Sequence, residues 1–241
     1  MKSLRIDLAA LSICSSPGRL SRGGWRRCNR QFVVTCTPTK SNVTDTADMR
    51  YYVTIVRTRE SLMLEQDRVA IVVIDVQEKL LPHIWEFERV VSNIALLIRF
   101  AKLVGIPVLW TEQEKLGPTA ASIASQLSES RPVVKSAFGA FGSPDFCAQL
   151  EAIGRTELAI VGIEAHICVL QTALLAPANY ELFVIRDAVS SRSRSNVDAA
   201  LARLAELGVA TSSTEMFIYE VLRRSGTDVF RRALALVKEL Q

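Results

Sequence analysis

Three residues stand out for the chemistry their types would support together: Asp75, Lys135 and Cys168. Asp75 directly follows the apolar run Val69 to Ile74 and precedes Val76-Gln77-Glu78. Lys135 stands in Val133-Val134-Lys135-Ser136-Ala137-Phe138, and Cys168 closes Gly162-Ile163-Glu164-Ala165-His166-Ile167-Cys168. A thiol attacks a carbonyl carbon well only as thiolate, and nearby positive charge holds that form at neutral pH. Lys135 is the expected cation, and the positive end of a helix opened by Cys168 adds in the same direction. Asp75 would accept the thiol proton and later return it to a leaving amine or orient water. The backbone N–H groups around Glu164 and Cys168 are the expected oxyanion donors. Each residue also has a plainer reading: a helix N-cap for Asp75, a solvated lysine, a small buried hydrophobe for Cys168. Only the set points to nucleophilic hydrolysis.

The elements that must position these residues follow from the apolar pattern. From Val69 onward short apolar runs alternate with longer helical segments, the mark of an α/β domain with a parallel sheet covered on both faces. Six strands are expected: Val69 to Ile74, Pro107 to Thr111, Val133 to Val134, Leu158 to Gly162, Leu182 to Ile185 and Val209 to Ser212. Between and after them, Glu86 to Leu103, Pro144 to Ile153, Ile167 to Leu175, Asn196 to Leu207 and Asp228 to Leu240 carry apolar residues at helical spacing. Gly105, Gly154 and Gly208 follow three of these segments, where a glycine ends a helix. Ligands of such sheets bind beyond the carboxyl ends of the strands, near the reversal of strand order. Asp75, Lys135 and Cys168 fall at or just past three such ends.

Charge divides the chain. Residues 1–44 hold eight of the 29 basic residues and one of the 25 acidic ones, which leaves 21 basic and 24 acidic residues, net −3, from Asp45 onward. The formal +4 therefore resides in the leading segment and gives no ground for a nucleic-acid partner. That segment, rich in Arg, Ser and Thr and poor in acids, reads as an organelle transit peptide or a disordered extension over 1–47. Val33-Val34-Thr35-Cys36 favours a chloroplast over a mitochondrial destination; without a targeting role for the segment the protein would be cytoplasmic. Residues 48–66 are expected as an arm or edge strand, with Tyr51 to Val56 extended, and 67–241 as the catalytic domain. No apolar run nears the ~20 residues that cross a bilayer, so no membrane partner is expected. Cys14, Cys28 and Cys36 lie in the leader, and the two remaining cysteines, Cys147 and Cys168, suggest neither a disulfide framework nor a metal site.

Five ordered motifs carry a family likeness. Ile74-Asp75-Val76-Gln77; Thr111-Glu112-Gln113 with Leu116-Gly117-Pro118-Thr119; Lys135-Ser136-Ala137-Phe138; Gly162 to Thr172; and Arg186-Asp187-Ala188-Val189-Ser190-Ser191-Arg192 resemble successive motifs of the isochorismatase-like hydrolases, especially the isochorismatase-domain-containing branch. The resemblance runs from about Asp67 to the C-terminus. It implies a three-layer Rossmann-like fold, a catalytic set falling on Asp75, Lys135 and Cys168, and a non-proline cis peptide at Ile163-Glu164. It also implies a homo-oligomer, dimer or tetramer, acting on a small-molecule substrate. Gln77, Trp110, Gln113 and Phe138 are the candidates for contacting that substrate.

Departures from relatives narrow the expectation. Metal-binding nicotinamidases of the superfamily use an aspartate and histidines after the second strand, whereas Thr111 to Pro118 here contains no histidine and the whole chain has only His83 and His166. Such a site needs three or four ligands, so no metal and no cofactor are expected. His166, two residues before Cys168, faces another direction on a helix and is expected to pack or hydrogen-bond. Cleavage of isochorismate, a vinyl ether, calls for substrate protonation and water instead of a thiolate. The cysteine therefore favours an amide or related C–N bond. Vinyl-ether hydrolysis stays open as an alternative, as does a non-catalytic or redox-responsive oligomeric protein.

Overall fold

The computed structural model describes residues 63–240 together with the strands β1 (Arg26–Cys28), β2 (Phe32–Pro38) and β3 (Tyr51–Arg57). Apart from β1 and β2, the leader read over 1–47 lies outside the described residues. The chain divides into two compact units, 1–62 and 63–241. In the first, β1, β2 and β3 form an antiparallel sheet in that order, with Val34 opposite Ile55 and Cys36 opposite Val53. The segment expected as an arm or edge strand is thus a strand, and β2 is its pairing partner.

The second unit is built on β4 (Val69–Ile74), β5 (Val108–Gln113), β6 (Val133–Lys135), β7 (Glu157–Ile163), β8 (Glu181–Ser190) and β9 (Ala210–Ser212). All five pairings are parallel and the order is β6-β5-β4-β7-β8-β9. Parallel strands buried on both faces read as continuous apolar runs, and β4 shows why: Val69, Ile71 and Val73 enter one core cluster, Ala70, Val72 and Ile74 the other. The first cluster lies under α1 (Phe87–Val104), α6 (Thr214–Leu222) and α7 (Asp228–Val237). The second lies under α3 (Pro144–Ile153), α4 (Leu170–Leu175) and α5 (Arg194–Glu206). A four-residue α2 (Ala121–Ala124) completes the set. This is the expected three-layer α/β fold with six parallel strands. No helix among the described residues is long and apolar enough to cross a membrane.

Three local differences from the sequence reading have physical reasons. Strand β8 runs on past Ile185 to Ser190, because the polar pair Arg186-Asp187 is accommodated at a register shift against Ile160/Gly162. Helix α6, not anticipated, starts where the Ser213 side chain accepts the Met216 N–H. The segment expected as one helix from Ile167 opens instead with a π turn, Ala165–Val169, before α4 begins. Helices α1 and α3 do end on Gly105 and Gly154 in the left-handed region.

Candidate active site

Strand order reverses between β4 and β7, and the residues that leave these two strands are Asp75 and Glu164. The strands come unusually close there. Gly162 pairs with Ile74 at φ +120°, and a Cβ on Gly162 would sit 2.1 Å from the Ile74 carbonyl oxygen. Only glycine fits. Asp75 itself takes φ +49°, a conformation that aspartate tolerates better than most residues.

The buried Asp75 carboxylate receives two side-chain donors. Thr111, paired with Ile74 across β4 and β5, donates its hydroxyl to Oδ1 at 2.7 Å. Lys135 Nζ lies 2.7 Å from Oδ2, with both side chains fully enclosed. The buried Cys168 thiol lies near enough to feel the Asp75 charge. The ammonium of Lys135 meets three further acceptors: Gln113 Oε1 at 2.9 Å, the Phe138 carbonyl at 2.9 Å and the Ala137 carbonyl at 3.2 Å. A buried cation needs such a set, since its desolvation is otherwise unmatched.

Cys168 sits on the π turn, 7% exposed. The turn is anchored by the Glu164 carbonyl, which accepts from Ile167 N at 3.1 Å and Val169 N at 3.2 Å. Thr172 on α4 donates to the Cys168 carbonyl at 2.7 Å and accepts from Ala140 N at 2.9 Å, joining the π turn to the loop after β6. The Ile163-Glu164 peptide is cis. Burial pushes the Cys168 thiol up to about 12 from its ordinary 9.0, with the Asp75 charge adding to the rise. The Lys135 charge and the Glu164 backbone pull the other way without prevailing. The expectation that Lys135 holds a thiolate is therefore corrected: its nearest charged partner is instead Asp75, and burial favours the protonated form of the Cys168 thiol.

The remaining candidates separate. Gln113 ties Lys135 to the loop, its Nε2 donating to the Ser136 carbonyl at 2.8 Å. Gln77, fully buried, donates to the carbonyls of Gln113 (3.0 Å) and Gly117 (2.5 Å) and accepts from Gln113 N (2.9 Å), so its amide organises the loop after β5. Both amides act on protein partners. Trp110 is not brought to the site: it is buried in the opposite core cluster from Cys168, with its indole N–H on Ser130 Oγ at 2.9 Å, because neighbouring positions of a strand face opposite sides of the sheet. Phe138 reaches Lys135 through its carbonyl while its ring stands 53% exposed. His166 places Nδ1 2.9 Å from Ser191 Oγ, a partner to β8's end and not to the thiol.

The sequence reading missed Thr111, Thr172 and the Glu164 side chain, which pairs with Arg192 at 2.6 Å. Thr111 was legible only as part of a motif; the parallel register that sets it against Asp75 is a property of the sheet. Among the described residues no group of three or more His, Cys, Asp or Glu side chains is arranged to hold a metal ion.

The comparisons with known proteins agree with this architecture. The isochorismatase domain family matches residues 69–216. The isochorismatase domain-containing protein 2A of Mus musculus is 36% identical over 171 residues, 68% of this chain and 80% of that protein. A secreted isochorismatase effector, Isc1, of Phytophthora sojae is 31% identical over 179 residues, 69% of this chain and 83% of its own. Among solved structures, the MAR1 ribonuclease of Caenorhabditis elegans superposes with a TM-score of 0.68 at 29% identity, covering 73% of this chain and 92% of that one. The YcaC product of Escherichia coli, described as an octameric hydrolase of unknown specificity, shares the fold at a TM-score of 0.67 and 22% identity over 76% of this chain and 91% of its own.

Proposed function

The chain belongs to the isochorismatase family of hydrolases, and from that premise we propose that it is a metal-independent cysteine hydrolase acting on a small, uncharged amide or related C–N bond through Cys168, Asp75 and Lys135. The observation that carries this reading is the fully enclosed Asp75–Lys135 pair beyond the strand ends, with Cys168 buried close enough for the charges of both to act on its thiol. As the sulfur bonds to the amide carbon, the thiol proton moves to Asp75, while the Glu164 and Cys168 N–H groups receive the developing oxyanion. The C–N bond then breaks and Asp75 gives that proton to the departing amine. Water attacks the thioester with Asp75 as base, the S–C bond breaks, and the sulfur regains its proton, leaving acid, amine and free enzyme. Lys135 offsets the charge of Asp75 throughout and keeps its carboxylate oriented. The raised thiol means that proton transfer accompanies attack instead of preceding it.

Substrate class follows from the same bonds. Isochorismate is a dicarboxylate and would need cations free to bind it, yet Lys135 already faces four acceptors. Asp75, a carboxylate accepting from Thr111 and Lys135, is arranged to take a proton and not to protonate a vinyl ether. The body's net −3 gives no support to the ribonuclease named for the Caenorhabditis neighbour. A second copy of the chain is the proposed partner, in keeping with the octamer named for the Escherichia coli neighbour, and static light scattering over a concentration series checks it. The leader is proposed to direct import into an organelle, the chloroplast ahead of the mitochondrion; a fluorescent fusion of residues 1–47 reports the destination.

The test of the nucleophile is ammonia release from a panel of small aliphatic and aromatic primary amides by the wild type and by Cys168→Ala. Turnover confined to the wild type supports the reading. Hydrolysis retained by Cys168→Ala, with loss only on Asp75→Asn, would replace it with direct attack by water.

A further inference from the structure

Strand β8 ends on Ser190, in register with Ile163, so Ser191 and Arg192 emerge beside Glu164 at the mouth of the nucleophile turn. Ser191 Oγ accepts from His166 N at 3.4 Å and lies 2.9 Å from His166 Nδ1. Arg192 spans the Glu164 carboxylate with two prongs, Nε to Oε1 at 2.6 Å and Nη2 to Oε2 at 3.3 Å. The pair is lopsided: the arginine side chain is 60% exposed, the glutamate side chain 9%. The Glu164 carbonyl belongs to the turn, holding Ile167 N and Val169 N on either side of Cys168.

We propose that Arg192 is a positioning residue for Cys168, acting through Glu164: its two-pronged grip fixes the residue whose carbonyl anchors the turn bearing the sulfur, and cancels a nearly buried carboxylate four residues before the nucleophile. The proposal rests on Cys168 being the reacting atom. A forked guanidinium fixes the plane of a carboxylate in a way that an ammonium does not. Without Arg192 the Glu164 carboxylate, 9% exposed, would be an uncompensated negative charge four residues before the sulfur, where negative charge must develop during attack. The charged groups bearing on the sulfur from other elements are Asp75 after β4 and Lys135 on β6; His166 shares its own turn.

The experiment measures alkylation of Cys168 by iodoacetamide, followed by peptide mass spectrometry to separate it from the other thiols, across about pH 8 to 10 in full-length protein. Below a thiol's midpoint each unit of upward shift slows alkylation about tenfold. Arg192→Ala is expected to slow Cys168 by roughly that factor at every pH, and to lower the thermal midpoint because Glu164 is left nearly buried without its counter-charge. Arg192→Lys should recover part of the loss, and the double variant Glu164→Gln/Arg192→Ala most of it, since the uncompensated charge is then gone. An unchanged rate in Arg192→Ala, or a loss that Glu164→Gln does not repair, overturns the proposal. This readout needs no substrate, so its failure is separate from that of the nucleophile reading, which Cys168→Ala turnover decides.

Discussion

The sheet carries a buried carboxylate paired with a base at each end, and the two ends behave differently. At the carboxyl end Asp75 meets Lys135, both enclosed. At the amino end Glu157, at the start of β7, meets Arg68 at 3.3 Å and accepts the Glu65 N–H at 2.9 Å. The Arg68 side chain is 35% exposed. Burial lifts the Glu157 carboxyl above its ordinary 4.5, with Glu181, its register partner on β8, adding to the rise against the pull of Arg68 and the Glu65 N–H. Both sites present the same functional groups, yet only Asp75 has a thiol near it with a proton to give. A buried ion pair marks a fastening until something transferable is placed against it; at the amino end the pair joins the turn before β4 to the sheet.

This contrast can be broken at either end. The largest effect is expected from Asp75→Asn, which removes the proton acceptor: amide turnover should fall roughly 10³- to 10⁴-fold, as when one member of a catalytic set is lost, measured as kcat. Next comes Lys135→Met, which leaves Asp75 buried without its counter-ion and should lower unfolding free energy by about 3–5 kcal/mol in urea, with activity lost as well. Thr172→Val unties the nucleophile turn from the loop after β6; a stability loss of about 1–2 kcal/mol should accompany a fall in kcat that Thr172→Ser restores. The smallest change is reserved for Glu157→Gln. A carboxyl whose folded value is raised contributes stability that is fully present below 4.5 and lost as pH rises through the raised value. Glu157→Gln should therefore flatten the thermal midpoint across the window just above 4.5, shift neutral stability by less than about 1 kcal/mol and leave kcat alone. A loss of turnover there would mean that the two ends are coupled.

How far the sequence reaches is visible in particular residues. The unbroken run Val69 to Ile74 announced a central parallel strand, because only burial on both faces tolerates six apolar residues in succession. Gly105 and Gly154 marked helix ends through the left-handed geometry they alone adopt cheaply. Asp75, Lys135 and Cys168 were legible as a set since each follows or ends an apolar run. What escaped depends on distances between strands. No spacing tells whether Lys135 spends its charge on the thiol or on Asp75, and the answer reversed the expected state of the thiol. The face of Trp110 was open until β5 was registered against its neighbours. The π turn could not be separated from a helix, because both keep Ile167, Val169 and Leu170 apolar.

Lys135, ringed by a carboxylate, an amide and two peptide carbonyls, is an ammonium that can neither lose its proton to solvent nor meet a reagent without opening the fold. Amine-directed labelling of the native enzyme should mark its other lysines and pass over this one, so the appearance of label at Lys135 would serve as a clock for local opening of the site.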